Sequence, residues 1–262
     1  MKPTLFVAWR STTPKNERWG PVGRLELDGN IYRFVYTRGA QTLEGFQPFS
    51  GMPDLETIYE SEQLFPLFAN RLLSEKRPEY KAYLEWGGFD PNHPPDPIAL
   101  LGVTEGRRAT DAFEVFPKPN QDSRGFYLTR FFLHGIRQMD SNVQNRIASL
   151  EPGNTLCLML DIMNSYDPDA VAVRTDGKHS RQMIGYVPRY LASDIRQLCL
   201  SQDQDLIRLE VEKVNAKAPV QNRLLCQMTA KWPDHFDPCG GKEFQPLIGL
   251  PSVSIQVGNG HD

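Results

Sequence analysis

The chain has 262 residues, more than one typical hydrophobic core requires, which favours two domains. Its composition, 40% hydrophobic and 23% charged, is ordinary for a globular protein, and its net charge of −3 argues against a protein that coats DNA non-specifically. The longest apolar runs are too short to span a bilayer and no signal peptide is recognisable, so we expect a cytosolic protein without a membrane partner.

The first 118 residues are predicted to form a mixed α/β domain. An apolar strand over Leu5–Trp9 precedes two alternating runs that flank Asp28-Gly29, a strong short-range hairpin signal. Residues 41–53 are rich in Gly, Pro and Phe and indicate a loop, and Asp54 is a candidate cap for a short helix. The remaining predicted elements are helices over Glu62–Leu73 and Tyr80–Trp86, a helical turn at 98–101 and a strand at 112–116.

Residues 119–125 continue a polar stretch that contains Pro117, Pro119 and Gly125, and such a composition is typical of a domain linker. The second domain, residues 126–233, is rich in predicted strands, and residues 234–262 are expected to form a loose tail. Its predicted strands lie at 126–136, 155–161, 170–174, 182–187, 206–214 and 223–231, and its helices at 143–150 and 188–200. The predicted fold class is therefore α+β.

The cysteines, at positions 157, 199, 226 and 239, are scattered and form no C-x-x-C pair. This spacing is not that of a zinc ribbon or of a disulfide framework. His235 and Cys239 lie four residues apart, but two ligands do not make a metal site. We therefore expect neither a metal nor a cofactor.

Four blocks of the second domain resemble the HIRAN domain. They are Gly135-Ile136-Arg137, Leu150–Leu156, Asn164–Val173 and Ile184–Ala192, and they follow one another in the family's order. The resemblance implies a small OB-like barrel. It also implies recognition of DNA, since the best-known member of the family binds the 3′-hydroxyl end of a single strand.

Five residues of these blocks are the candidate nucleic-acid contacts. Arg137 follows a glycine at a strand end and Arg189 stands at a helix N-terminus, and both positions suit a phosphate. Tyr166 can contact a base or sugar, Asn164 can hydrogen-bond to either, and Asp167 can accept a hydrogen bond from a terminal hydroxyl. The alternative stays open that the Asn-Asp segment is simply a turn and that the arginines are solvated surface charges.

The chain departs from the pattern of the member that binds DNA ends at two positions. Gln138 stands where an aromatic residue follows the arginine of the first block, and no aromatic lies at the late loop near Asn215. A lost stacking surface weakens base contacts by about 1–3 kcal/mol. We therefore expect weak or altered recognition of the end.

The first domain resembles the N-terminal subdomain of HipA-type toxin kinases. The resemblance covers residues 4–118 and rests on Gly23-Arg24-Leu25, Tyr32–Tyr36, Leu64–Leu73, Asp96–Leu101 and Glu114–Pro117. No kinase catalytic loop, Asp-Phe-Gly motif or phosphate-gripping loop follows. The resemblance thus implies an antitoxin-like module that binds and regulates a HipA-type kinase supplied by another chain. The alternative is a domain that only supports the second one.

Candidate catalytic sets are weak. Asp161, Asp167 and Asp169 are close enough in sequence to suggest magnesium, but the last two flank a proline in a turn and no fourth acidic ligand is evident. His134 has no evident nucleophile beside it, and there is no G-x-S-x-G motif or phosphate loop. We predict a non-enzymatic protein with no catalytic residue, whose HIRAN-like module binds DNA.

Overall fold

The computed structural model describes residues 3–11, 18–108, 112–177 and 181–249. These residues form two antiparallel sheets with short helices around them, which confirms the predicted α+β class. Within them no helix is both long enough and apolar enough to cross a membrane.

The first sheet belongs to the N-terminal unit. Its strands are β1 (Thr4–Arg10), β2 (Trp19–Asp28), β3 (Ile31–Tyr36), β4 (Tyr59–Ser61) and β5 (Phe113–Pro117). They lie in the order β4-β3-β2-β1-β5, and all neighbours are antiparallel. The β2–β3 hairpin pairs Asp28 with Ile31, so its turn is Gly29-Asn30, one residue later than predicted.

Four helices complete the N-terminal unit. They are α1 (Arg38–Thr42), α2 (Pro66–Ala69), α3 (Tyr80–Trp86) and α4 (Pro97–Thr104). The long helix predicted over Glu62–Leu73 is a single turn, because Phe65 precedes a proline and is extended, so the helix cannot begin before Pro66. Asp54 caps no helix; its carboxylate accepts hydrogen bonds from the Glu56 N–H and the Thr57 hydroxyl in a turn.

The predicted loop at 41–53 is packed rather than solvated. Phe46, Phe49 and Met52 are buried in the core of the N-terminal unit. The buried hydroxyl of Tyr36 donates to the Met52 carbonyl at 2.6 Å and accepts from the Phe49 N–H at 2.8 Å. This hydroxyl therefore holds the loop against the first sheet.

The second sheet has seven strands. They are β6 (Asn120–Gln121), β7 (Phe126–Phe132), β8 (Thr155–Leu160), β9 (Val171–Thr175), β10 (Met183–Tyr186), β11 (Ile207–Val214) and β12 (Leu224–Lys231). Their order is β10-β9-β8-β11-β12-β7-β6. Helices α5 (Ser141–Ala148) and α6 (Arg189–Ser201) accompany them. The predicted linker thus forms β6, which pairs with β7 as a short hairpin.

One backbone bridge closes six of these strands into a barrel. The His134 N–H donates to the Tyr186 carbonyl and the Tyr186 N–H donates to the His134 carbonyl, both at 2.9 Å. The bridge joins the chain just after β7 to β10, the opposite edge of the sheet. A side chain at Gly185 would place its Cβ 2.5 Å from the His134 carbonyl oxygen, so this closure requires glycine.

The first sheet packs against the barrel as well as against the core of its own unit. Along β1, Leu5 and Val7 face the core of the N-terminal unit, whereas Phe6 and Ala8 face the large core of the barrel. Phe116 of β5 also joins the barrel core. The apolar run of β1 is continuous because both of its faces are buried.

The segment that follows β12 is packed against the rest of the protein up to residue 249. Phe236 and Cys239 are buried in the barrel core, and the Phe244 ring contacts that of Phe6 with centroids 5.0 Å apart. The Leu247 N–H then donates to the Tyr36 carbonyl at 2.9 Å. The expectation of a tail is wrong for 234–249, because apolar residues there cover both units; residues 250–262 lie outside the described part of the chain.

Candidate functional site

An open groove of about 900 Å³ lies where the barrel closes against the N-terminal unit. The barrel side is formed by the turn after β7, the β8–β9 turn and the start of α6. All five sequence-predicted contacts line this groove: Arg137, Asn164, Tyr166, Asp167 and Arg189. The structure therefore brings together residues that are up to 52 positions apart in the chain.

Arg137 is presented by the turn that follows the barrel bridge. Gly135 has a φ of +78°, a conformation that glycine adopts without steric penalty, and it begins a single 3-10 turn over Ile136–Gln138. Ile136 is buried and holds the turn, while Arg137 is exposed. Among the described residues, the Arg137 guanidinium has no hydrogen-bond or ion-pair partner, so its donors remain available to a ligand.

Asn164 shapes the β8–β9 turn. Its Oδ1 accepts the N–H groups of Tyr166 and Asp167, both at 3.0 Å, and its Nδ2 donates to Asp161 at 3.1 Å. Because these hydrogen bonds occupy the Asn164 side-chain amide, they favour a role for Asn164 in forming the turn over a direct contact with nucleic acid. The turn in return presents Tyr166 at the rim of the groove, where its side chain is 75% exposed.

Asp167 and Arg189 face each other across the groove wall. Asp167 Oδ1 accepts the Asp169 N–H at 3.0 Å, and its Oδ2 lies 3.8 Å from Arg189 Nε. That separation is an ion pair but is too long for a hydrogen bond, so Oδ2 keeps acceptor capacity. The Arg189 guanidinium also lies over the Trp19 ring at 5.7 Å, which ties it to the N-terminal unit.

A buried carboxylate joins the two units behind the groove. Glu105 accepts the Tyr190 hydroxyl at 2.8 Å, contacts His134 Nε2 at 2.8 Å and lies 3.6 Å from the Arg107 guanidinium. Burial alone raises the pKa of Glu105, but His134, Arg107 and the Tyr190 hydroxyl together hold it below its usual value. Glu105 is therefore a charged group that fixes residues of both units.

Sequence reasoning missed the part of the groove that the N-terminal unit provides. Arg10 ends β1, and Arg107 and Arg108 follow α4; all three line the groove. Among the described residues, the charged lining is five arginines against two aspartates, a net formal charge of +3 in a chain of net −3. The Arg-Arg pair is visible in the sequence, but only the tertiary packing sets it beside the barrel.

The aspartates considered for magnesium are engaged with other groups. Hydrogen bonds from Asn164 and Tyr186 lower the pKa of Asp161, and Asp169 lies 3.9 Å from Arg196. Within the described ranges, no group of three His, Cys, Asp or Glu side chains is arranged to hold a metal ion.

The two departures from the pattern that binds DNA ends are also visible. Gln138 is exposed on the groove lining. Asn215 is buried, and its amide donates to the carbonyls of Trp86 at 3.0 Å and Asn222 at 2.9 Å. Asn215 thus links the barrel to the N-terminal unit, which leaves Tyr166 as the exposed aromatic of the described groove lining.

The family model described as the HIRAN domain matches residues 126–232. A crystal structure of a protein from Lactobacillus plantarum is 19% identical with a TM-score of 0.32, covering 40% of this chain and 97% of that one. The HIRAN domain of human HLTF is 17% identical with a TM-score of 0.29, covering 42% of this chain and 81% of that one. No curated protein matches the chain.

The chain therefore carries a HIRAN domain at residues 126–232, as its sequence blocks indicated. The domain supplies Arg137, Tyr166 and Arg189 to the groove, whereas Arg10 and Arg108 lie outside the matched segment. The resemblance of residues 4–118 to the HipA-type subdomain stays a prediction.

Proposed function

We propose that this chain binds single-stranded DNA in the groove between its HIRAN domain and its N-terminal unit and acts by binding rather than by catalysis. The observation that carries the proposal is the net charge of +3 on a groove that also offers an exposed tyrosine. Arginine side chains suit phosphates, and an aromatic ring at the rim can stack on a base. Tyr166 supplies that ring, and Arg137 supplies a guanidinium that no protein group engages within the described residues.

Binding is tested by fluorescence anisotropy with a labelled oligonucleotide. Arg137→Ala is expected to weaken binding of every sequence and to lower the magnitude of the salt slope by about 0.7, the value of one phosphate contact on a single strand. Arg208→Ala is the matched control, because Arg208 is an exposed arginine outside the groove. Equal affinities of these two variants contradict the proposal.

We further propose that the groove receives the 3′ end of the strand. The support is Asp167, whose Oδ2 lies beside Arg189 without a hydrogen bond and can accept one from a terminal hydroxyl. Strands that end in a 3′-hydroxyl and in a 3′-deoxy nucleotide differ in that group alone and carry equal charge. A hydrogen bond to a carboxylate is worth about 1.5–3 kcal/mol, so the hydroxyl strand is expected to bind at least tenfold more tightly.

Asp167→Asn provides the control for end recognition. An asparagine side chain can still accept the Asp169 N–H and keep the turn, but it removes the charged acceptor. The preference for the hydroxyl is expected to shrink, while the loss of one negative charge strengthens binding of both strands alike. Equal binding of both strands by the unaltered protein refutes end recognition and leaves strand binding intact.

A second proposal concerns the N-terminal unit: it binds and regulates a HipA-type kinase of another chain. Its support is the resemblance of residues 4–118, together with a core of this unit's own around Phe34 and Phe68. A kinase that lacks its own N-terminal subdomain, taken from the same genome, is expected to lose autophosphorylation when mixed with this chain. Unchanged kinase activity and separate elution on a sizing column contradict the idea.

A further inference from the structure

The positive charge of the groove originates in the N-terminal unit. The barrel side of the lining carries two arginines and two aspartates, so its formal charge is zero. Within the described residues, Arg10, Arg107 and Arg108 of the N-terminal unit account for the net charge of +3. A polyanion long enough to extend over both units is therefore attracted chiefly by residues outside the HIRAN segment.

These three arginines differ in how they are engaged. Arg107 lies 3.6 Å from Glu105 and 4.0 Å from Glu114, so these two carboxylates partly neutralise it. Arg10 and Arg108 are exposed, and in the described part of the chain neither guanidinium has a hydrogen-bond or ion-pair partner. Their donors face the groove, and among the described residues no carboxylate competes for them, which is the arrangement that a phosphate group requires.

Stacked aromatic rings fix the N-terminal unit against the barrel. Arg10 is the register partner of Trp19 on the neighbouring strand, and the Trp19 ring stacks on Phe116 at 6.2 Å. Phe116 in turn stacks on Tyr190 of α6, with centroids 4.5 Å apart and planes 13° from parallel. These contacts hold the backbone at Arg10 close to the first turn of α6, which carries Arg189. The charges of the two units are therefore preorganised for one ligand.

We propose that Arg10 and Arg108 form a second phosphate-binding segment, which continues the groove from the HIRAN domain onto the N-terminal unit. The inference rests on the proposed function: one end of the strand lies beside Arg137, and its backbone then passes over these two arginines. The N-terminal unit is in this view part of the DNA-binding surface. The composite site binds a longer stretch of strand than the HIRAN domain binds alone.

The test uses the full chain, because the two units share a core. Arg10→Ala/Arg108→Ala is compared with Arg124→Ala/Arg208→Ala, which removes the same charge from exposed arginines outside the groove. Anisotropy is measured with strands of about 4 and about 12 nucleotides, the range of single-strand site sizes. With the longer strand, the groove variant is expected to bind about tenfold more weakly at 0.15 M salt, with a salt slope smaller in magnitude by about 1.4.

The short strand and a charge-conserving variant complete the design. The strand of about 4 nucleotides is expected to bind nearly equally to both double variants, since it does not reach beyond the HIRAN domain. Arg10→Lys/Arg108→Lys is expected to restore the salt slope, which a folding defect does not allow.

Three results overturn the inference, and they separate it from the proposed function. If Arg137→Ala weakens binding but the groove double variant matches its control, the second segment is refuted and the HIRAN groove stands. If the groove double variant loses as much with the short strand as with the long one, the arginines act within the HIRAN site and do not extend it. If the unaltered protein binds neither strand, the proposed function fails as well.

Discussion

Replacing Glu105 with alanine is expected to destabilise the protein by about 3–5 kcal/mol, the typical cost of removing one partner from a buried charged network. The Glu105 side chain is only 4% exposed. It accepts the Tyr190 hydroxyl at 2.8 Å and lies 2.8 Å from His134 Nε2. Without the carboxylate, the Tyr190 hydroxyl and His134 Nε2 lose this partner at the interface of the two units, and the Arg107 guanidinium keeps Glu114, at 4.0 Å.

The assay is reversible thermal or urea unfolding, with Glu44→Ala as the control because that side chain is 74% exposed. At about 2–4 °C per kcal/mol for a chain near this size, the midpoint of Glu105→Ala is expected to fall by about 10 °C. A double-mutant cycle with Tyr190→Phe is expected to give a coupling of about 1 kcal/mol or more, since the two groups share a hydrogen bond. A Glu105→Ala midpoint within about 2 °C of the control refutes this account of the interface.

Three further predictions address the fold. Gly185→Ala forces a Cβ to within 2.5 Å of the His134 carbonyl oxygen and is expected to lower the free energy of unfolding in urea by about 1–3 kcal/mol. Gly51→Ala, whose Cβ enters open space, is the control. Equal losses of stability in the two variants contradict the barrel closure. Tyr36→Phe removes the hydroxyl that pairs with the Phe49 N–H and the Met52 carbonyl, and is expected to lower the free energy of unfolding by about 1–3 kcal/mol. Unchanged stability contradicts the role of this hydroxyl in anchoring the 41–53 loop. Burial raises the pKa of Asp194 from 3.8 to about 6, so the folded state holds this proton more tightly than the unfolded state and loses about 3 kcal/mol of stability as pH rises from 3.8 to 6. Asp194→Asn is expected to lose that part of the pH dependence, and parallel pH profiles of variant and parent contradict it.

Strands with a strong local pattern could be predicted from the sequence, often to within a residue or two. Apolar runs bounded by turn residues gave β1, β8 and β9, and the two long C-terminal runs gave the β11–β12 pair. Helix α6 was predicted to start at Pro188, one residue before its observed start, because a proline precedes its amphipathic face. These signals are local, and neighbouring residues are enough to determine them.

Features that depend on distant contacts could not be predicted. The loop at 41–53 and the segment at 234–249 have loop-like compositions, yet Phe49 and Phe236 are buried because distant strands supply their partners. The sequence blocks indicated Arg137 and Asp167 as candidate contacts. No local pattern indicates that Arg108, which lies 29 residues before Arg137, lines the same groove. The N-terminal half of the groove is a consequence of tertiary packing.

Photocrosslinking locates a bound strand on the protein and therefore tests whether this groove holds it. A single strand that carries 5-iododeoxyuridine near its 3′ end is irradiated with the full chain, and the modified peptide is identified by mass spectrometry. A crosslink is expected at Tyr166, the exposed aromatic at the rim of the groove, and Arg137→Ala is expected to reduce it. Crosslinks that fall only outside the groove, or a Tyr166 crosslink unaffected by Arg137→Ala, would contradict the claim that this groove binds single-stranded DNA.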